Sequence, residues 1–538
     1  TIDFAGLQQR VIAVPGVAAR QYSQLRAGAA GTVFYIEGAG GGRGAGGAGG
    51  PTLQRYRLAD RREAPFVTGV ADYDVSADGH KLLYRTGGGG GGGRRGGAAG
   101  GGAGPGLFLV DADRAAPVAG AGRLNVTLRM YLDPKQEFTQ IFNEGWRNQR
   151  DYLYVPNMHG TDWVKDKAMY GALLPYVMHR ADLNYLLDMM GSEIAIGHSF
   201  VRGGDMPEVP QTTTGLLGAD LSVEGTRYKI TKIYDTESWN PELRAPLAEP
   251  GVDVHVGDFV LQVNGVDLVA PDNIYRLLDG TADRQTQLTV NNRPVMEGAR
   301  KVTVIPVANE QGLRTRAWVE ANRHIVDSLS HGQLAYVYIP STGQPGYASF
   351  NRYYFAQQDR KGAVIDERYN SGGSAADYII DVLQRDFDGY FNNVAGDRVP
   401  FTSPEAGIWG PKVMIINEMA GSGGDFMPYM FHFRHVGTLV GKRTWGGLVH
   451  TADTPPFIDG GSMIAPRGGF FAKDALHWAV ENEGTPPDVD VENWPKDAIA
   501  GHDAQLEKAV AEALTQLAAH PVVRAMKEPP SPTWGKRK

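Results

Sequence analysis

The sequence predicts a multidomain α+β protein, and three observations carry that prediction. A length of 538 residues exceeds what one hydrophobic core spans and suits roughly three or four domains. The texture changes along the chain, from short β-like runs with turn signals, to helical spacing, to strands again, and finally to strands alternating with helices. In that last stretch two Gly-rich turns each follow an apolar β-run, an arrangement that sets loop glycines along one edge of a parallel sheet.

Composition removes several classes. Hydrophobic residues make up 42% and charged residues 21%, ordinary globular usage, so most of the chain can bury a core. The net charge of -7 argues against a chain-wide footprint for nucleic acid. Zero cysteines exclude a disulfide framework, a cysteine nucleophile and thiolate metal ligands. No uninterrupted apolar run reaches the ~18 residues of a membrane-spanning helix, and no secretory signal is read at the N-terminus, so no membrane partner is expected. The chain begins at Thr1 rather than Met, as a processed or truncated chain would.

Residues 1–122 read as β structure with insertions. Glycine is high at 71 residues, and two tracts hold much of it, with 9 in residues 38–50 and 14 in 87–106. Such tracts are expected as flexible surface insertions, and neither ends in the G-K-[ST] that a phosphate-binding loop requires. Around them lie β-like runs at 32–36, 53–58 and 73–84, and Asp78-Gly79 is a hairpin signal inside the last. The Ser76-x-Asp78-Gly79 turn resembles the blades of a TolB-like β-propeller. Fewer than three blades fit, so this part is either an incomplete β-propeller-like region or a small β-sandwich-like appendage.

Residues 123–210 read as a helical domain, with Phe138, Ile141, Phe142 and Trp146 at helical spacing and an apolar end that carries His198. Residues 211–310 turn strand-rich. The segment Gly257-Asp258-Phe259-Val260-Leu261-Gln262-Val263-Asn264-Gly265, with a short helix over 272–278, is similar to a PDZ domain, a module that adds extended peptides to a sheet edge. Residues 311–522 alternate as an α/β domain: strands at 334–339, 362–365, 412–417 and 439–440, helices over 375–384 and from 424, and a last helix over 503–518. The basic, Pro-rich segment 523–538 is expected to be a disordered tail.

Two turns of the α/β domain can carry chemistry. In Ala420-Gly421-Ser422-Gly423-Gly424-Asp425 a serine among small residues sits where a buried strand passes into a helix, so a hydroxyl can face a cleft beside the helix N-terminus. In Asn370-Ser371-Gly372-Gly373 a second Gly-rich turn follows the neighbouring β-run, and two such turns can aim two N–H groups at one point, as an oxyanion hole requires.

The order of parts then matters. The sequence resembles the tricorn protease family, and more distantly the C-terminal processing peptidases, over about 125–520. The resemblance rests on Asp133-Pro134 with Trp146-Arg147, Tyr152, His159-Gly160-x-Asp162-Trp163, Gly197-His198-Ser199-Phe200, the two glycine turns, Gly441-x-Arg443-Thr444-Trp445-Gly446-Gly447 and Val480-Glu481-Asn482. It implies a serine peptidase with an N-terminal propeller, a helical C1 domain, a PDZ domain and an α/β (crotonase-like) C2 catalytic domain. Carried over by position, Ser422 is the nucleophile, His198 the general base, Gly373 and Gly423 the oxyanion-hole donors, and Glu481 the support of the base. No cofactor and no metal are implied, and no histidine pair shows zinc-ligand spacing. The resemblance further implies peptide substrates already cut by a larger protease, a homo-oligomer that is a hexamer in the family, association with other peptidases, and a cytoplasmic location.

Three departures from the family pattern are expected to matter. Gly197 replaces a serine that bridges base and glutamate, so the relay is direct, water-mediated or weakened. Gly423 replaces an aspartate but keeps the N–H. Phe391 aligns with an acidic residue selecting basic P1 side chains, so a shift toward apolar P1 residues follows unless Asp386 or Asp388 swings in. A Ser–Lys dyad fits poorly, because position 447 is Gly and the nearest lysine is Lys442. The competing reading is a catalytically degenerate homologue whose PDZ and propeller parts bind peptides or partners.

Overall fold

In the computed structural model, residues 13–17, 22–38, 51–86, 106–118, 120–126, 130–235, 237, 240–394, 398–451, 454–522 and 528–535 are described. The two Gly-rich tracts lie almost wholly outside them, as does part of the expected tail; residues 528–535 form neither helix nor strand. The chain divides into two units, Thr1–Tyr131 and Leu132–Lys538.

The described residues of the first unit form two four-stranded antiparallel meanders. One holds the strands Tyr22–Ala27, Thr32–Glu37, Thr52–Arg57 and Arg62–Thr68, the other Val70–Val75, Lys81–Thr86, Leu107–Asp111 and Arg123–Leu124. This four-strand repeat is the pattern of propeller blades. Alternation in each strand turns Phe34, Leu53 and Phe66 from one sheet, and Tyr73, Leu82, Tyr84 and Phe108 from the other, into a single apolar cluster. The Asp78-Gly79 turn forms as expected: Asp78 accepts the His80 N–H at 3.0 Å and the Ser76 hydroxyl accepts the Lys81 N–H at 2.9 Å.

In the second unit, three helices come first. Asp133 caps Pro134–Tyr152 by accepting the N–H groups of Lys135 and Gln136, Asp162 caps Trp163–Gly171, and Arg180–Ser192 follows. Their apolar faces enclose Ile141, Phe142, Leu183, Leu187 and Met190, and Phe457 and Met463 join this core from far along the chain. The buried ion pair of Arg180 with Asp459 crosses the same junction at 2.5 Å, both side chains 1% exposed. Just after the His198 loop, Val201–Arg202 pairs antiparallel with Ser462–Met463. The helical layer is thereby tied to the last part of the chain at the point where the histidine emerges.

A six-stranded sheet follows, with the short helix Ile274–Leu278 and a core of Ile230, Val260, Leu268, Leu278, Leu288 and Val290. Glu310 fastens it to the next domain, accepting the Gly218 N–H at 2.9 Å and bonding Arg314 of helix Gln311–Leu329, which in turn reaches Asp220.

The α/β domain is built on five parallel strands in the spatial order Leu334–Tyr338, Gly362–Asp366, Lys412–Ile416, Thr438–Gly441 and Val489–Asp490. Every residue of the first three strands is buried, as continuous apolar runs in a sheet covered on both faces require. Helices Gln311–Leu329, Gln344–Phe355, Ala376–Leu383, Gly423–Phe433 and Ala504–Ala519 supply the cover. Because the strands are parallel, their C-terminal ends open on one edge, and both glycine turns leave from there. Among the described residues no helix is long and apolar enough to cross a membrane.

Breaking one side of the Arg180–Asp459 pair leaves the other charge buried without its counter-charge. Asp459→Ala is expected to destabilise the second unit by about 3–5 kcal/mol in denaturant unfolding, whereas Arg180→Met with Asp459→Leu recovers most of that loss.

Candidate active site

Strand Lys412–Ile416 gives way to Asn417, and five residues later Ser422 occupies the N-cap of helix Gly423–Phe433 with φ 59° and ψ -114°. A non-glycine residue held there costs of order 1–3 kcal/mol, and persists only where its surroundings fix it. Asp425, in the first turn of the helix and fully buried, does much of the fixing. Its carboxylate accepts the Ser422 N–H at 2.7 Å, the Gly446 N–H at 2.7 Å and the Gly447 N–H at 3.0 Å, and the Thr444 side chain adds a further hydrogen bond. Burial pushes this carboxyl above its ordinary range, while the hydrogen bonds pull it back.

The second turn is laced to the first. The Tyr369 N–H donates to Asn417 Oδ1 at 3.0 Å, and the Gly421 N–H donates to the Asn370 carbonyl at 3.0 Å. The Asn370 side chain also accepts the Gly372 N–H at 3.0 Å. Gly373 and Gly423 therefore lie side by side, and within the described residues neither N–H donates to any group. The glycine after the serine is explained by contact: a Cβ at residue 423 would overlap the Thr342 hydroxyl and the Gly373 backbone. An aspartate in that place has no room here.

His198 arrives on the loop after helix Arg180–Ser192, with a left-handed φ of 64°, and Ala195 at 51° makes the same kind of turn three residues earlier. Two hydrogen bonds hold this loop against Val480-Glu481-Asn482: Glu481 Oε1 accepts the Gly197 N–H at 2.8 Å, and Asn482 Nδ2 donates to the Ala195 carbonyl at 2.8 Å. The Leu448 backbone N–H favours the ionised form of the same Glu481 carboxyl. Val480 and Asn482 themselves have φ of 76° and 62°. His198 Nδ1 and Glu481 Oε2 are both buried without a hydrogen-bond partner, and no hydrogen bond joins His198 to Ser422. Burial pushes the imidazole below its ordinary pKa against the pull of Asp425, and pushes the Glu481 carboxyl above its own.

Ser422, Gly373 and Gly423 line a cleft of about 600 Å³. Phe426, Leu448, Val449 and Phe470 give it apolar walls, and Asp377, exposed on the first turn of helix Ala376–Leu383, is the acidic side chain of its lining. Phe391 is not among the lining residues. It stands 58% exposed on the hairpin of Gly389–Phe391 and Phe401–Ser403, stacked on Phe401. Lys442 is occupied elsewhere, its Nζ 2.8 Å from Asp490 Oδ1. Among the described residues no group of three or more acidic or histidine side chains is placed to hold a metal ion.

The structure thus brings Ser422, Gly373, Gly423, Glu481 and His198 into one region. Sequence reasoning missed Asp425, Trp445 and Asp377. Asp425 had a usable signal, since Ser422-x-x-Asp425 before an apolar run is a capping-box pattern.

Comparison with known proteins gives matches in the same order as these parts. Residues 134–192 match the Tricorn protease C1 domain, 215–309 the Tricorn protease PDZ domain, and 333–491 Peptidase family S41. Tricorn protease homolog 1 of Streptomyces coelicolor is 34% identical over 98% of this chain and 48% of its own length. The tricorn protease of Thermoplasma acidophilum is 30% identical over 71% of this chain and 35% of its own length. A crystal structure of the tricorn protease superposes with a TM-score of 0.78 at 26% identity, covering 92% of this chain and 46% of that one. The chain spans about half the length of the relatives it matches.

Asp425→Ala would leave three backbone N–H groups without an acceptor, two of them in the buried 446–447 loop. The expected outcome is a loss of about 2–5 kcal/mol in denaturant unfolding, well above that of a typical surface Asp→Ala.

Proposed function

We propose that this chain, which belongs to the tricorn protease family, is a serine peptidase that cleaves unfolded peptides through an acyl-enzyme. The observation that carries the reading is Ser422 on a strained strand-to-helix turn, in a cleft, beside two unengaged N–H groups. Ser422 Oγ attacks the peptide carbonyl carbon while its proton passes to His198, and the carbonyl oxygen becomes an oxyanion facing the Gly373 and Gly423 N–H groups. Collapse of that intermediate breaks the C–N bond, and His198 returns the proton to the leaving amine. Water then attacks the ester carbon as it loses a proton to His198, the C–Oγ bond breaks to release the carboxylic product, and His198 returns the proton to Ser422 Oγ.

Glu481 supports the base side through the backbone of Gly197 rather than through the ring, which fits the loss of the bridging serine. Closing the distance between Ser422 and His198 on substrate binding is part of this reading, since catalytic hydrogen bonds often tighten only in the complex. The apolar walls of the cleft favour large apolar P1 side chains, with Asp377 leaving some acceptance of cationic ones. Phe391 contributes to P1 selection only where assembly of a homo-oligomer, a hexamer by the family resemblance, brings its exposed hairpin to a cleft. Work downstream of a larger protease, association with other peptidases and a cytoplasmic location rest on the same resemblance.

The test is a fluorogenic peptide panel with basic, acidic and large apolar P1 residues, run on the chain and on Ser422→Ala. Turnover strongest after apolar residues and absent from Ser422→Ala is expected, and Asp377→Ala is expected to reduce cleavage after Lys or Arg relative to Leu by about 3–10-fold. Equal turnover by Ser422→Ala, or none by either protein, would favour a peptide-binding role instead. Only the neutral imidazole can accept the serine proton, so kcat/KM falls as pH drops through the His198 pKa. Because burial holds that pKa low, the acid limb is expected below the ordinary imidazole value of about 6.5.

A further inference from the structure

A general base must be held to within a few tenths of an ångström and some tens of degrees to take a proton efficiently, and that hold normally comes from a hydrogen bond to its second ring nitrogen. His198 has none, since its Nδ1 is buried without a partner. Its orientation must therefore come from packing, and the packing is specific. The Trp445 indole lies 5.5 Å from the imidazole at 41°, and Phe200 lies 5.6 Å away at 52°.

The indole is itself seated with care. A Cβ on Gly421 would come within 2.6 Å of Trp445 Cε3, one on Gly447 would overlap the six-membered ring, and one on Gly197 would stand 3.3 Å from Cη2. Two of these contacts reach other segments, Gly421 before the nucleophile and Gly197 before the base, while Gly447 belongs to the loop of Trp445 itself. The Trp445 backbone N–H donates to the Ala420 carbonyl at 2.9 Å, and Asp425 holds the backbone N–H groups of the next two residues. The indole, half exposed, thus packs against the segments that carry the nucleophile and the base, and glycine at each contact lets it do so.

We propose that Trp445 is a positioning residue, whose indole, seated on Gly421 and Gly447, orients the His198 imidazole and shields it from water. The proposal rests on the peptidase reading above and adds to it the group that aims the base. The ionisable groups near the imidazole are Asp425 from the helix and Glu481 from the 479–484 segment, with the Arg202 guanidinium 4.9 Å from the Phe200 ring. Removing the indole admits water to the ring, and with Asp425 still favouring its protonated form, the imidazole pKa rises.

The test compares the chain with Trp445→Ala and Trp445→Phe, using the best fluorogenic peptide, the kcat/KM profile against pH, and the thermal midpoint. Trp445→Ala is expected to lower kcat about 10–100-fold with KM within about 3-fold, and to move the acid limb upward toward the ordinary imidazole value, while Trp445→Phe recovers most of both. A kcat within about 2-fold of the parent would overturn the proposal, and so would a fall in kcat with an unmoved acid limb, which marks a merely structural role. In those cases Ser422-dependent turnover by the parent chain leaves the peptidase reading standing. A parent chain without such turnover overturns both together.

Discussion

The buried carboxylate of Asp425 is the constraint on which the rest of the site depends. Its three backbone hydrogen bonds join two chain segments that the fold alone would leave separate: the turn carrying Ser422, and the loop of Gly446 and Gly447 beyond the neighbouring strand. A carboxylate removed from water is costly unless several donors converge on it, so the two segments can hardly part without exposing an unsatisfied charge. That linkage holds Ser422 in a backbone conformation it would otherwise leave. It also fixes Trp445, one residue before the captured N–H groups, and Leu448, one residue after, so the surroundings of His198 and Glu481 follow from the same bond set.

The other half of the site is supplied from outside the sheet. Parallel strands bring Gly373 and Ser422 to one edge, but His198 comes from the helical layer, 224 residues before Ser422 in the chain. Its position is set by the short pairing of Val201–Arg202 with Ser462–Met463, by the Arg180–Asp459 pair, and by the two hydrogen bonds to Glu481 and Asn482. Left-handed backbone at Ala195, His198, Ser422, Val480 and Asn482 clusters here, and such strain is retained where surrounding structure over-determines it.

Much of this was legible in the sequence, for physical reasons that can be named. The buried strands are continuous apolar runs closed by glycine turns, so their places and the serine turn between strand and helix could be read directly. His198 stood out as one polar residue at the end of an apolar segment, and the order of motifs supplied the family. What could not be read is side-chain direction and contact across the chain. Position 423 shows as a glycine, but its reason is the hydroxyl of Thr342, eighty residues away. Trp445 looks like one aromatic in a glycine motif until its ring is seen against the segments of nucleophile and base. The family resemblance points to Phe391 for P1 specificity, yet it sits on an exposed hairpin outside the cleft lining, because a place in the chain says nothing about which surface the hairpin faces.

The central claim is that Ser422 is an activated nucleophile in a site held ready by Asp425 and served by His198. The most direct measurement is reaction of the chain with a serine-directed fluorophosphonate, followed by peptide mapping of the adduct. The account predicts a single adduct on Ser422, formed far more slowly in His198→Ala and in Asp425→Ala. An adduct on another serine, or labelling of Ser422 at the same rate when His198 is absent, would contradict it.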